Sequence, residues 1–148
     1  MKKIILSGVI AGVAMLFVSV IVSFGSNYLF PGIKNEYNNL NLFRSMSDPK
    51  MQLFVFAPFI TAFLLSFFYT KFNGFIKTNS NFLKGIFLGI GYWLFTIPGI
   101  FMEYTTFPVT VAISLNWSVS VLIQGICGGI IIAYFLKPKI EKTNNENL

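Results

Sequence analysis

Charged residues punctuate this chain at intervals close to the thickness of a lipid bilayer, and the stretches between them are apolar. The first such stretch runs from Ile4 to Phe30 without a charge. As a helix rising about 1.5 Å per residue it would reach roughly 40 Å, against a hydrocarbon core of about 30 Å. The helix therefore tilts, or sets Asn27 and Tyr28 among the headgroups, and Pro31-Gly32 stops it. Lys2-Lys3 ahead of an apolar run also suits a secretory leader. The run is much longer than the ~7–15 apolar residues of a leader, however, and Ser23-Phe24-Gly25 is a poor cleavage site. The segment is read as a retained span over about residues 4–30.

The same counting places three more spans. Asp48 can cap a helix and Pro49 suits its first turn. Lys50 and Lys71 then bracket an uncharged stretch of roughly 31 Å, one hydrocarbon thickness, which gives a span over 50–71. Asn79-Ser80 supplies the next N-cap, for a span over 82–102 anchored at Lys84. The fourth span is expected over 109–136, ending at Lys137-Pro138, with a polar tail over 137–148. Its start is ambiguous: a long tilted helix from near Pro108 is preferred over a shorter one from Trp117. Pro58 and Pro98 fall inside spans, where each removes a helical hydrogen bond and bends its helix.

Charge then gives the direction of travel. Four spans put both termini and the middle loop on one side, with Lys2, Lys3, Lys71, Lys77, Lys84, Lys137, Lys139 and Lys142 against Glu141 and Glu146. The other side has Lys34, Arg44 and Lys50 against Glu36, Asp48 and Glu103. The formal +6 lies entirely on the first side, so the positive-inside rule makes both termini cytoplasmic. Those lysines could also attract anionic lipids, at about 1 kcal/mol each; the plainer reading, a topology signal alone, is preferred. Nucleic acid is not an expected partner, because the charges are scattered over loops and tails.

Composition agrees and removes whole classes of chemistry. Hydrophobic residues make up 55% of the 148 and charged residues 11%, against about 25% charged in a soluble domain. There is no histidine, and Cys127 is the one cysteine. The commonest metal ligand and the usual neutral-pH base are thus missing, and no disulfide can form within the chain. Glu36 and Asp48 are too isolated to read as a catalytic pair. No catalytic residue, metal site or cofactor is expected, and an enzyme is disfavoured.

Small and polar residues inside the spans indicate how they pack. GxxxG occurs three times, as Gly8/Gly12, Gly85/Gly89 and Gly125/Gly129. Such pairs let helix backbones approach closely, which matters because lipid tails are as apolar as leucine. SGVIAGVAMLF aligns with KGIFLGIGYWLF on both glycines, so the two hairpins read as a parallel repeat about an axis along the membrane normal. On the fourth span Asn116, Ser120 and Gln124 form one stripe. Interhelical hydrogen bonding is preferred for them over a solute path, with Thr96, Thr61 and Ser66 as partners for Gln124. In GYWLFTIPGIFMEYTTFPVT, Glu103 stands alone, about 28 Å along a helix from Lys84 and so at the outer edge of the bilayer. It is read as pairing with Lys50 or Arg44, or as binding a cation or proton at an outward mouth.

The stretches NYLFPGIKNEYNNLNLFRSMSDP, LFVFAPFITAF and YWLFTIPGIFMEYTTFPVTVAISLNWSVSVLIQG resemble a group of uncharacterised small four-helix prokaryotic integral membrane proteins. The resemblance implies a prokaryotic plasma membrane and supplies no functional residues. The expectation is an all-α integral membrane four-helix bundle with both termini inside. Its leading role is non-catalytic, packing with a second copy or a partner membrane protein in the bilayer. The alternative is a small permease or lipid- or solute-binding protein using Asn116, Ser120, Gln124 and Glu103. The orientation predicts that tags at both termini resist protease added to intact cells; digestion of either tag from outside contradicts it.

Overall fold

A computed structural model describes residues 1–39, 43–45 and 47–137. Among these the chain is all-helical: α1 (Lys2–Leu29), α2 (Pro31–Asn39), α3 (Pro49–Gln52), α4 (Ala57–Phe72), α5 (Asn81–Thr106) and α6 (Val111–Phe135). A 3-10 turn, Leu53–Phe56, joins α3 to α4, so that Pro49–Phe75 forms one continuous span. Four helical segments are therefore long and apolar enough to cross a membrane. The tail expected beyond Lys137 lies outside the described residues.

Local sequence explains where each helix starts. Asp48 Oδ1 accepts a hydrogen bond from the Lys50 amide at 2.8 Å, with Pro49 in the first turn. Ser80 caps α5 and Thr110 caps α6, each accepting from the amide three residues on at 3.4 Å. The fourth span thus begins at Val111, closer to Pro108 than to Trp117. Pro58 sits in the first turn of α4, immediately after the 3-10 turn. A proline there has no amide to offer the preceding turn, and the backbone changes from α to 3-10 and back rather than bending within a continuous α-helix. Pro98 by contrast stays inside α5.

The helices pack as a row, with α5 on α6, α6 on α1, and α1 on α4. Each contact is made by small residues. Gly85 and Gly89 meet Gly129 and Gly125 in antiparallel register, and a Cβ added to Gly89 would stand 2.5 Å from backbone atoms of Gly125 and Ile126. The α1–α4 contact differs: the Phe63 and Phe59 rings lie on Gly8 and Gly12, filling the space a side chain would need. Met15 of α1 fills the corresponding space at Gly128 of α6. Ala11, Met15, Ala62, Leu65, Tyr69, Ile132 and Ala133 form the central core where α1, α4 and α6 meet.

Few polar bonds join the spans. Ser7 donates to Ser66 at 3.1 Å between α1 and α4, and Trp93 Nε1–H donates to Ser118 at 2.9 Å between α5 and α6. Ser26 donates to Asn116 Oδ1 between α1 and α6. Bonds of this kind between membrane helices contribute about 0.6 kcal/mol each on average, so close packing carries most of the association.

Gly89→Ala should therefore lower stability in detergent by about 2 kcal/mol, because the obstacle is backbone that cannot rotate away. Gly99→Ala, where an added Cβ meets nothing within 4 Å, should stay within about 0.5 kcal/mol of wild type. Thermal unfolding followed by circular dichroism measures both, and equal midpoints for the two variants would contradict the packing described.

Candidate functional site

The row curls so that its two end helices, α4 and α5, approach each other but barely touch. Each is drawn onto a different neighbour, α4 by the glycines of α1 and α5 by those of α6. Between them remains a cavity of about 750 Å³. Leu65, Leu88 and Tyr92, packed on or within the central core, make its floor. Phe68 and Phe72 of α4 face Phe87 and Phe95 of α5 across it, and Phe75 and Ile76 line it near the α4–α5 turn. Gly91 lines the α5 wall, where an added Cβ would meet nothing within 4 Å. The groove owes part of its width to that missing side chain.

The chemistry available in this groove is narrow. Of the lining residues only Thr61 and Tyr92 have a side-chain hydroxyl, and none is charged. Phe68 and Phe72 stack with ring centroids 6.1 Å apart, and Phe72 and Phe75 repeat that spacing. An aromatic and aliphatic cleft of this kind suits apolar matter. Its volume falls within the range of about 300–1,000 Å³ usual for small-molecule sites.

The expected polar stripe of α6 is not part of this cleft. Gln124 Nε2 donates to Ser120 at 2.9 Å within its own helix. Of the partners expected for Gln124, Ser66 accepts from Ser7, Thr96 donates to the Trp93 carbonyl and Thr61 lines the groove. The i, i+4 spacing that makes the stripe also lets its members satisfy one another. Asn116 is held by Ser26 near the other end of α6. The expected sites Gly8, Gly12, Gly85, Gly89, Gly125 and Gly129 all face neighbouring helices of the same chain.

A second, smaller feature occupies the end away from the termini. Here α2 lies on α6, with Ile33, Val109 and Ile113 buried together. Thr110 Oγ1 donates to Glu36 Oε2 at 2.6 Å, tying α2 to the start of α6. Burial pushes the Tyr37 phenol above its ordinary 10.0, against the opposing effect of hydrogen bonds to Trp117 and Asn116. Tyr37, Phe43 and Trp117 pack ring against ring, with centroids 5.1 to 6.4 Å apart. Phe43 and Trp117 also border a cavity of about 280 Å³ with Glu103 at its rim. Glu103 is exposed, and the expected pairing with Lys50 or Arg44 is not made among the described residues. Arg44 instead bonds Asp48 at 3.0 Å, the acid one helical turn away in sequence.

Sequence reasoning did not find the groove. Its walls draw on phenylalanines that occur on more than one face of α4 and α5, so periodicity does not single out the groove face. Compared with protein-family models, curated proteins and solved structures, the chain matches none. Among the described residues no three of His, Cys, Asp and Glu come together as metal ligands would.

Proposed function

We propose that this protein is a small, non-catalytic multi-pass membrane protein that holds the hydrocarbon chain of an amphiphile in the groove between α4 and α5. The observation that carries the reading is the groove itself, about 750 Å³ of aromatic and aliphatic surface without a charged side chain. The occupant is a flexible chain rather than a helix for a physical reason. A helix docking in lipid needs small residues to bring backbones together, and the groove walls offer Phe68, Phe72, Phe87 and Phe95 with Gly91 as the one glycine. The GxxxG pairs that would suit a partner helix are taken up inside the chain.

In this reading the lysine-rich end, with both termini, faces the cytoplasm of a prokaryotic cell, and the bundle sits in the plasma membrane. The two hairpins are read as related, since Gly8/Gly12 and Gly85/Gly89 each face the second helix of their own hairpin. A second reading is favoured by one observation: α5 is the least buried of the four spans. A second copy or a partner membrane protein covering its outer face would account for that exposure.

Lipid extraction and mass spectrometry of protein purified in mild detergent test the proposal. The wild type should retain an amphiphile that Gly91→Phe loses, while both keep the same helix content and thermal midpoint. Equal retention by the folded variant, or a wild type that copurifies as a lipid-free dimer, contradicts the chain-binding reading.

A further inference from the structure

Lys84 stands on the face of α5 that lines the groove. It precedes Phe87 and Leu88 by one helical turn, Gly91 by two and Phe95 by three, and Phe87, Leu88, Gly91 and Phe95 all line the cavity. On α4, Lys71 follows Phe68 by one turn and precedes Phe75 by four residues, both of which line the opposite wall. It flanks that wall rather than standing at its centre, between the azimuths of Phe67 and Phe68. Its ammonium lies 6.0 Å over the Phe67 ring, so the side chain reaches back along the helix from the bilayer edge. The two lysines thus mark the same end of the groove, one from each wall.

Among the described residues no acid lies at that end to neutralise them. No acidic residue occurs in sequence between Asp48 and Glu103, a stretch that contains Lys50, Lys71, Lys77 and Lys84. The one ion pair among the described residues, Arg44 with Asp48, lies at the opposite end of the bundle. An apolar groove with two ammonium groups near one end, and no acid beside them among the described residues, suits an anionic amphiphile: hydrocarbon inside, negative headgroup at the lysine end. A bilayer lipid reaches such a site laterally without leaving its leaflet, because the groove is open between α4 and α5 rather than enclosed.

Resting on the reading of the groove as a hydrocarbon-chain site, we propose that its lysine-rich end selects the headgroup, and that the occupant is an anionic glycerophospholipid recognised by Lys84 and Lys71. Lys84, at the centre of the α5 wall, contacts the phosphate, and Lys71 closes on it from the α4 side. The lysines then do more than set topology: they make the groove discriminate between lipids that share the same chains. Each lysine near the surface is worth about fivefold in affinity for an anionic headgroup.

The test is native mass spectrometry of the full chain exchanged into equal amounts of phosphatidylglycerol and phosphatidylcholine with identical acyl chains. One bound phosphatidylglycerol per chain is expected, preferred over phosphatidylcholine by roughly 25-fold if both lysines act. Lys84→Gln and Lys71→Gln should each cut that preference about fivefold while total lipid retained stays the same. Lys2→Gln with Lys3→Gln, which removes as much charge from the same end, should leave it unchanged. Retention of both lipids without preference, or a preference that survives Lys84→Gln and Lys71→Gln, overturns the headgroup assignment and leaves the hydrocarbon groove standing. Retention of neither lipid, or a second copy of the chain in their place, overturns the groove reading and this one with it.

Discussion

Backbone contact between α5 and α6 is the constraint on which this structure depends. In lipid there is no solvent to drive apolar helices together, so association needs a geometry that lipid tails cannot match. Gly85 and Gly89 against Gly129 and Gly125 provide it, since the backbones approach to a separation at which even a methyl group is excluded. Having committed that face to α6, α5 turns Phe87 and Phe95 toward the cleft. The cleft beside α4 follows from where α5 is held as much as from what lines it.

The other contacts divide the work differently. On α1 the glycines accept rings, so Phe59 and Phe63 supply interhelical contact that backbone supplies between α5 and α6. Met15 does the same at Gly128 with a flexible thioether suited to an irregular gap. Polar contacts such as Ser7 with Ser66 fix register more than they supply energy. The two ends also differ. One is covered by α2, tied down through Glu36 and Thr110, while the other carries lysines around an open groove. The two ends thus have different chemistry, and the proposed headgroup site falls at the lysine-rich one.

Much of this architecture was legible before any coordinates. Uncharged stretches bounded by Lys50 and Lys71, or opened by Ser80 and Lys84, mark helices because a charge at the centre of a bilayer is expensive. Asp48-Pro49 and Ser80 mark starts because they satisfy amides that a helix leaves unpaired. The short helix α2 was not legible, since PGIKNEYNN is polar and its reason to be helical is tertiary, the burial of Ile33 against Val109 and Ile113. Gln124 and Glu103 drew attention as isolated polar groups, yet the first is satisfied one turn away at Ser120 and the second stands exposed beside Trp117. The groove is hardest to read from sequence, because it is made by two helices failing to meet. No residue type signals a missing contact, and Gly91 resembles the packing glycines until its surroundings are known.

Glycine-selective 13C labelling with solid-state NMR in lipid bilayers tests the central contact directly. Cα–Cα cross-peaks should link Gly89 to Gly125 and Gly85 to Gly129, with none from Gly91 to any glycine of α6. Absence of the first two, in a spectrum where sequential glycine pairs such as Gly128–Gly129 are resolved, would contradict it.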